Sequence, residues 1–343
     1  MIISINPKIT VLMPVYNCEP FIKEAIDSIL NQTFSNFEFI IIDDASTDST
    51  VSIIKTYNDP RIKLIIKPDN LGLTNSLNYG LSIAKGEYIA RMDGDDISLP
   101  ERFAKQVVFL DKNPETVLIG AYFKIIGKDK IITVPEYHED IKLAMLKDCC
   151  IGHPTVMMRK SCLDKFSLRY DEKKEPAEDY DLWTRFLNVG KLYNLQEVLL
   201  NYRVHNSQVS HKRNEQQINT ALEIKVNLLM NLNFKRDDET QNFLKKIISG
   251  KESVSFAEIN QFENLKSKLL LANQTFFFEK TGFEKYLLEI GSNLFKSYFL
   301  KRKKYSPVVY LQYLRIRKKA PIKLKLLDEV KLFVKSMILY SKK

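Results

Sequence analysis

No apolar run in this 343-residue sequence approaches the ~18 residues that a membrane-spanning helix requires, so no spanning segment is expected. Met1 to Lys8 has no basic region ahead of an apolar core, so a secretory leader is not expected either. Cysteine is scarce: Cys18, Cys149, Cys150 and Cys162 are the four, and none stand at the CxxC spacing of a zinc site. They read as reduced thiols of a cytoplasmic protein, cytosolic or attached to a membrane from its cytosolic side. Internal repeats and Gly/Ser-rich linkers are missing. Pro14 to Pro20 holds neither glycine nor a basic residue, which excludes a glycine-rich phosphate loop there. What remains, 45% apolar and 27% charged residues, is the composition of a soluble globular protein. The length suits one large domain or two ordinary ones.

Among the features that are present, acid stands first. Arg91-Met92-Asp93-Gly94-Asp95-Asp96 places three carboxylates within four residues, directly after the apolar run Tyr88-Ile89-Ala90. Like charges so close raise each other's pKa unless a cation intervenes. Carboxylate oxygens are the preferred ligands of hard ions such as Mg2+ and Mn2+. A simple polar turn is the competing explanation.

The order of elements bears on that choice. Ile9 to Met13 reads as a buried strand that Pro14 stops. Glu19-Pro20 then opens a helix with Phe21, Ala25, Ile26, Ile29 and Leu30 on its apolar face. Phe37 to Ile42 is a second strand ending in Asp43-Asp44, followed by a helix from Thr50 to Tyr57. Ile62 to Ile66 is a third strand, Thr74 to Ala84 a helix, and Tyr88 to Met92 a fourth strand. This alternation predicts a doubly wound, mostly parallel α/β sheet, in which ligands bind beyond the carboxyl ends of the strands. Pro14-Val15-Tyr16-Asn17, Asp43-Asp44 and Asp93-Gly94-Asp95 all fall at such ends. A random solvated loop does not explain that convergence. Farther along, helices are expected at Pro100 to Asn113, Ile141 to Lys147 and from Glu178, the last with Trp183, Phe186 and Leu187 inward. Val117 to Ile126 with Lys130 to Val134 suits a hairpin, and Val198 to Val204 a strand. Beyond about Lys212 strand signals fade into amphipathic helices, giving expected domains of 1–211 and 212–343.

Six segments, taken together and in order, resemble the family 2 glycosyltransferases, whose nucleotide-sugar-binding fold is GT-A. They are Pro14-Val15-Tyr16-Asn17, Ser28 to Phe34, Ile42 to Asp48, Ala84 to Ile89, Asp93-Gly94-Asp95-Asp96, and Ala177-Glu178-Asp179-Tyr180-Asp181-Leu182-Trp183. The resemblance covers residues 8–205, and the rest of the chain lies outside it. It implies transfer, with inversion, of a sugar from a nucleotide diphosphate donor to a hydroxyl of a glycan or lipid-linked glycan acceptor, as in surface polysaccharide or lipopolysaccharide synthesis. It further implies Mn2+ or Mg2+ on Asp95, with Asp93 toward the ribose and Asp96 either behind the metal or in the turn. Asp44 would accept a hydrogen bond from a uracil ring flanked by Pro14 and Tyr16. Glu19 belongs to the same donor side, as do Asn70, Gly72 and Asn78. Asp179 matches the family's base for the acceptor hydroxyl, although at a helix start it could equally cap. His153 and Glu178 fall on the acceptor or phosphate side. Tyr202 to Ser210 resembles a segment that folds over the diphosphate, with Arg203 suited to phosphate and His205 to phosphate or metal. No arginine lies in Leu73 to Asn78, where many relatives have a basic residue. Two alternatives are a sugar-1-phosphate nucleotidyltransferase, against which the missing phosphate loop speaks, and a non-catalytic nucleotide-sugar-binding protein, against which intact Asp95 and Asp179 speak.

The net charge of +10 belongs to the tail. From Lys296 to Lys343 fifteen Lys and Arg face only Asp328 and Glu329, a balance of +13 that leaves residues 1–295 at −3. Basic runs interleaved with Phe295, Tyr298, Phe299, Tyr310 and Phe333 suit an anionic membrane surface. A helical bundle with a solvated charged face, or an oligomer contact, is the plainer alternative; nucleic acid is the least favoured partner.

Overall fold

The computed structural model describes residues 6–205, 214–234, 237–275, 277–317 and 324–341. The chain forms two compact units, the first running to Ile224 and the second from Lys225. In the first, β1 (Ile9–Val15), β2 (Phe37–Asp43), β3 (Ile62–Ile66) and β4 (Tyr88–Arg91) lie in the order β3-β2-β1-β4, all parallel. Every position of β1 and β2 is buried, as parallel strands covered on both faces require. The connections are α1 (Ile22–Leu30), α2 (Thr50–Ile54) and α3 (Leu73–Ile83). α1 buries Ile22, Ala25, Ile26 and Ile29, the i, i+3, i+4, i+7 stripe of a helix seated on a sheet.

The second half comprises β5 (Ile97–Ser98), α4 (Arg102–Lys112), β6 (Thr116–Ile125), β7 (Ile131–Ile132), α5 (His138–Met145), β8 (Met157–Arg159), α6 (Lys160–Lys165), α7 (Glu178–Phe186) and β9 (Lys191–Tyr202). The sheet continues from β4 as β8-β6-β9-β5, with β7 hairpinned onto β6. Here it departs from a pure doubly wound pattern. β8 runs antiparallel to both β4 and β6, while β6 and β9 are parallel. β8 is reached through a single 3-10 turn, His153–Thr155, and an antiparallel neighbour needs no crossover helix. β9 starts well before Val198. Its first part alternates buried Leu192 and Asn194 with more exposed neighbours, a pattern that a search for apolar runs passes over. Trp183 and Phe186 are fully buried and Leu187 is 5% exposed, the inward face expected for α7.

The second unit is helical, with helices at Asp238–Ser249, Phe256–Ala272, Lys280–Leu300, Pro307–Arg317 and Leu326–Met337. Their starts are written locally. Asp237 accepts the Thr240 N–H, Ser255 and Glu258 form a reciprocal capping box, and Glu279 accepts from Thr281 and Gly282, satisfying donors that a first turn leaves open. Phe283, Phe295, Phe299 and Tyr313 fill its core. Among the described residues no helix is long and apolar enough to cross a membrane.

Candidate active site

A cavity of about 970 Å³ opens at the carboxyl ends of the parallel strands, lined among others by Pro14, Tyr16, Asp44, Asp93, Asp95, His153, Glu178, Asp179 and His205. That volume is at the upper end for a small-ligand site. The loop after β1 forms one wall. Tyr16 is 48% exposed at its rim, and Asn17, at φ 51, ties this loop to the one after β2. Its N–H donates to Ser46 Oγ at 2.9 Å and its Oδ1 accepts the Thr47 N–H at 2.8 Å. Glu19 belongs to the same lacing: its carboxylate accepts the Ser49 N–H at 3.0 Å, and it is not on the cavity wall.

Asp44 is 4% exposed and surrounded by the chain's own donors. Lys67 Nζ lies 2.5 Å away, the Gly72 N–H 2.8 Å, and the Leu71 N–H and Ser76 Oγ both 3.2 Å. Gly72 has φ 91, a left-handed backbone that glycine adopts without strain and that aims its N–H at Asp44. Asn70 and Gly72 line the cavity. Asn78 does not, and instead clamps the backbone of Tyr170 in both directions, at 2.9 and 3.0 Å.

The acidic loop follows β4. Arg91, 3% exposed, pairs with Asp93. Asp95 Oδ2 lies 2.8 Å from His205 Nε2. Asp96 is fully buried, takes the Arg203 N–H on Oδ1 at 2.8 Å, and leaves Oδ2 without a hydrogen-bond partner. Burial raises the pKa of Asp93 despite Arg91, and burial together with the charges of Asp93 and Asp95 holds the Asp96 carboxyl well above the usual range. Gly94 permits this crowding: a Cβ there would meet Val15 Cγ1 at 2.8 Å. Arg203 braces the loop from behind. Its Nε donates to the Asp95 carbonyl at 2.8 Å, Nη2 reaches Glu24 at 2.5 Å, and the guanidinium lies 4.8 Å from the Phe21 ring centre. His205 lies tilted against the same ring, with centroids 4.8 Å apart and planes 35° from parallel.

Asp93, Asp95 and Asp96 each offer a carboxylate oxygen within 4.8 Å of the others. Three hard oxygen donors, one of them with a buried and unsatisfied atom, and an imidazole against Asp95 fit Mn2+ or Mg2+.

The start of α7 lines the same cavity. Glu178 is 5% exposed, and its Oε2 has no hydrogen-bond partner. Asp179 accepts the Tyr180 N–H at 2.6 Å, a local bond that leaves its other oxygen for the cavity it lines. Burial pushes Asp179 up to about 6. Burial and then the Asp179 charge push Glu178 up to about 8. His153 Nε2 is 2.9 Å from the Tyr170 hydroxyl, its ring packs edge-on to Trp183, and burial followed by the Arg91 charge holds it neutral. Glu175 accepts the Thr74 N–H at 2.8 Å, joining the α7 side to the start of α3. A protonatable carboxylate and a cluster of cation-binding acids thus share one cavity. That arrangement can remove a proton from one group while holding a charged group beside it.

Nine of the site residues expected from the sequence line this cavity; the sequence reading gave no role to Arg91 or Glu175, which also line it, or to Lys67, which pairs with Asp44. Arg91 carried a signal, being a charge at the end of an apolar strand two residues before Asp93 and so on its face. Residues 206–210 of the expected closing segment lie outside the described residues.

The profile of the family described as glycosyl transferase family 2 matches residues 10–165. The putative glycosyltransferase EpsE of Bacillus subtilis is 42% identical over 219 residues, 61% of this chain and 76% of that protein. An Escherichia coli protein, the UDP-Glc:alpha-D-GlcNAc-diphosphoundecaprenol beta-1,3-glucosyltransferase WfaP, is 36% identical over 208 residues, 59% of this chain and 79% of that one. Among solved structures, S. aureus TarS 1-349 in complex with UDP-GlcNAc superimposes with a TM-score of 0.57 at 18% identity, covering 84% of this chain and 91% of that one. The mannosyltransferase PcManGT of Pyrobaculum calidifontis, in complex with GDP-Man and Mn2+, gives 0.51 at 17% identity, covering 85% and 88%. These structural likenesses identify the fold as GT-A.

Proposed function

The chain belongs to glycosyl transferase family 2, and from that premise we propose an inverting, metal-dependent glycosyltransferase that moves a sugar from a UDP-sugar to a hydroxyl of a glycan or lipid-linked glycan. The observation that carries this reading is that Asp95 and Asp179 line one cavity. The UDP donor and the lipid-linked acceptor draw support from the relative whose name specifies both.

In this reading the nucleotide base stacks on Tyr16 against Pro14. Asp44, already filled by Lys67 and the Leu71 and Gly72 amides, shapes the floor beneath it and contacts the base at its edge. Asp93 reaches the ribose. Asp95, with His205 and Asp96 close by, would hold Mn2+ or Mg2+, which when bound acts as a Lewis acid toward the departing diphosphate. Arg203 keeps the acidic loop in place. Asp179 takes the proton of the acceptor hydroxyl as its oxygen forms the new bond to the anomeric carbon. The bond from that carbon to the diphosphate breaks on the opposite face, and the electron pair leaves with the diphosphate. A carboxylate raised toward neutrality is a better base than an ordinary one, yet stays ionised at pH 7. Glu178 is protonated at that pH and donates a hydrogen bond to the acceptor. His153, neutral, holds the acceptor side through Tyr170.

Calorimetric titration of UDP-sugars with and without Mn2+, followed by NMR of the product anomer, tests the proposal. Metal-dependent donor binding lost in Asp95→Ala and an inverted product are the expected results. A retained anomeric configuration, or donor binding indifferent both to metal and to Asp95→Ala, would refute it.

A further inference from the structure

Helix Leu326–Met337 carries its pattern inside out. The positions it turns inward, one turn apart, are Asp328, Leu332 and Ser336, exposed by only 7%, 0% and 0%. The positions it turns outward are Leu326, Leu327, Val330, Phe333, Val334 and Met337, exposed by 43–77%. At 100° per residue these six span an arc of about 120°, as wide as the stripe by which a helix seats on a core. Here that stripe faces outward. Lys331 and Lys335 come next around the helix.

The inward acids are committed within the unit: Asp328 lies 2.8 Å from Lys296, and Glu329 pairs with Arg317. At the end of the helix the chain folds back. Tyr305 N–H donates to the Tyr340 carbonyl at 2.9 Å, and Lys304 bridges to Ser341. The run Lys301-Arg302-Lys303-Lys304 therefore lies beside the end of the apolar arc. An outward apolar stripe edged by cations, in a segment balanced at +13, matches one kind of surface. A second copy would bring two strongly positive faces together. Nucleic acid would engage the cations but has no use for six outward apolar side chains. A bilayer of anionic lipid offers both negative headgroups and an apolar depth of several ångströms, and no described helix is suited to crossing it.

We propose that the second unit docks on anionic membrane through this arc, with Lys301 to Lys304, Lys331 and Lys335 at the headgroups. The proposal stands apart from the reading of the cavity, since vesicle binding requires neither donor nor acceptor.

Flotation of the full-length protein with vesicles of phosphatidylglycerol and phosphatidylcholine, against phosphatidylcholine alone and at low and high salt, is the test. Binding only to the anionic vesicles, weakened by salt, is expected. Val330→Asp/Val334→Asp should cut partitioning by about tenfold or more with Tm unchanged. Lys303→Gln/Lys304→Gln should cut it about fivefold per charge at low salt. Failure to float with anionic vesicles would overturn the proposal, as would partitioning unaffected by both double variants. A dimer in sedimentation velocity that Val330→Asp/Val334→Asp dissolves would assign the face to a second copy instead. RNA binding lost in Lys303→Gln/Lys304→Gln, with vesicles ignored, would assign it to nucleic acid.

Discussion

The acids that follow β4 and the acids that open α7 line the same cavity but keep different company. Asp93 has Arg91, Asp95 has His205, and Asp96 has the Arg203 amide. Asp179 has only a neighbouring amide, and Glu178 leaves one buried oxygen without a hydrogen-bond partner. The first set sits among cationic and amide donors, yet burial and mutual repulsion still raise Asp93 and Asp96, so it is a set of acids short of positive charge. The second has been taken from water with little in exchange, so its charge is conditional on pH. One end of the cavity is suited to taking up a cation, the other to exchanging a proton.

Removing the conditional charge should have the largest effect. Asp179→Asn keeps shape and should lower kcat by about 10²–10⁴ while leaving the donor dissociation constant unchanged. Steady-state kinetics beside calorimetry decides, and near-normal turnover would dissolve the distinction between the two ends. Arg91→Met attacks the compensated set: it strands Asp93 beside two other acids and should destabilise the fold by about 3–5 kcal/mol, the usual cost of breaking a buried pair. The urea midpoint reads this, and an unshifted midpoint would mean that the acids do not need the cation. The pH profile sharpens the contrast further. A base with its pKa raised to about 6 is protonated below that pH, so kcat/KM should fall tenfold per unit as pH drops below about 6 and level off above it. The Asp93 carboxylate, the Arg91 guanidinium and the protonated Glu178 face this group, and Glu178→Gln, which keeps that neighbour neutral, should leave the limb where it is. The smallest loss is expected at the nucleotide end. Lys67→Met should raise the donor KM about tenfold, the low end of what one hydrogen bond to a charged group is worth, with kcat preserved.

The sequence was most informative where periodicity brings residues to one edge. The strand ends that carry Tyr16, Asp44 and Asp93 follow from alternating strands and helices, whereas Asp179 stood out only through the family resemblance, its place at a helix start suiting a cap as well. Contacts that depend on register were not legible. Lys67 meets Asp44 because β3 pairs parallel to β2 with Ile66 opposite Asp43, and no local pattern announces that pairing. Asp96 resembled its half-buried neighbours Asp93 and Asp95 in composition, yet the turn at Gly94 carries it inside. Glu19 and Asn78, expected toward the donor, hold neighbouring backbone instead, because an amide or carboxylate side chain can meet peptide groups as readily as a ligand. In the second unit amphipathicity was visible in the sequence, but not the direction in which the face would point.

The link from Arg203 to Asp95 and Asp96 spans more than a hundred positions of the chain. A fragment cut to the residues that match the family profile would contain every acid of the loop after β4, yet neither the strand that braces them nor the carboxylate of Asp179. Expressed alone, it would present a nucleotide-sugar fold without its clasp. The family profile and functional completeness therefore end at different places in this chain, and any minimal enzyme should be drawn to extend past His205.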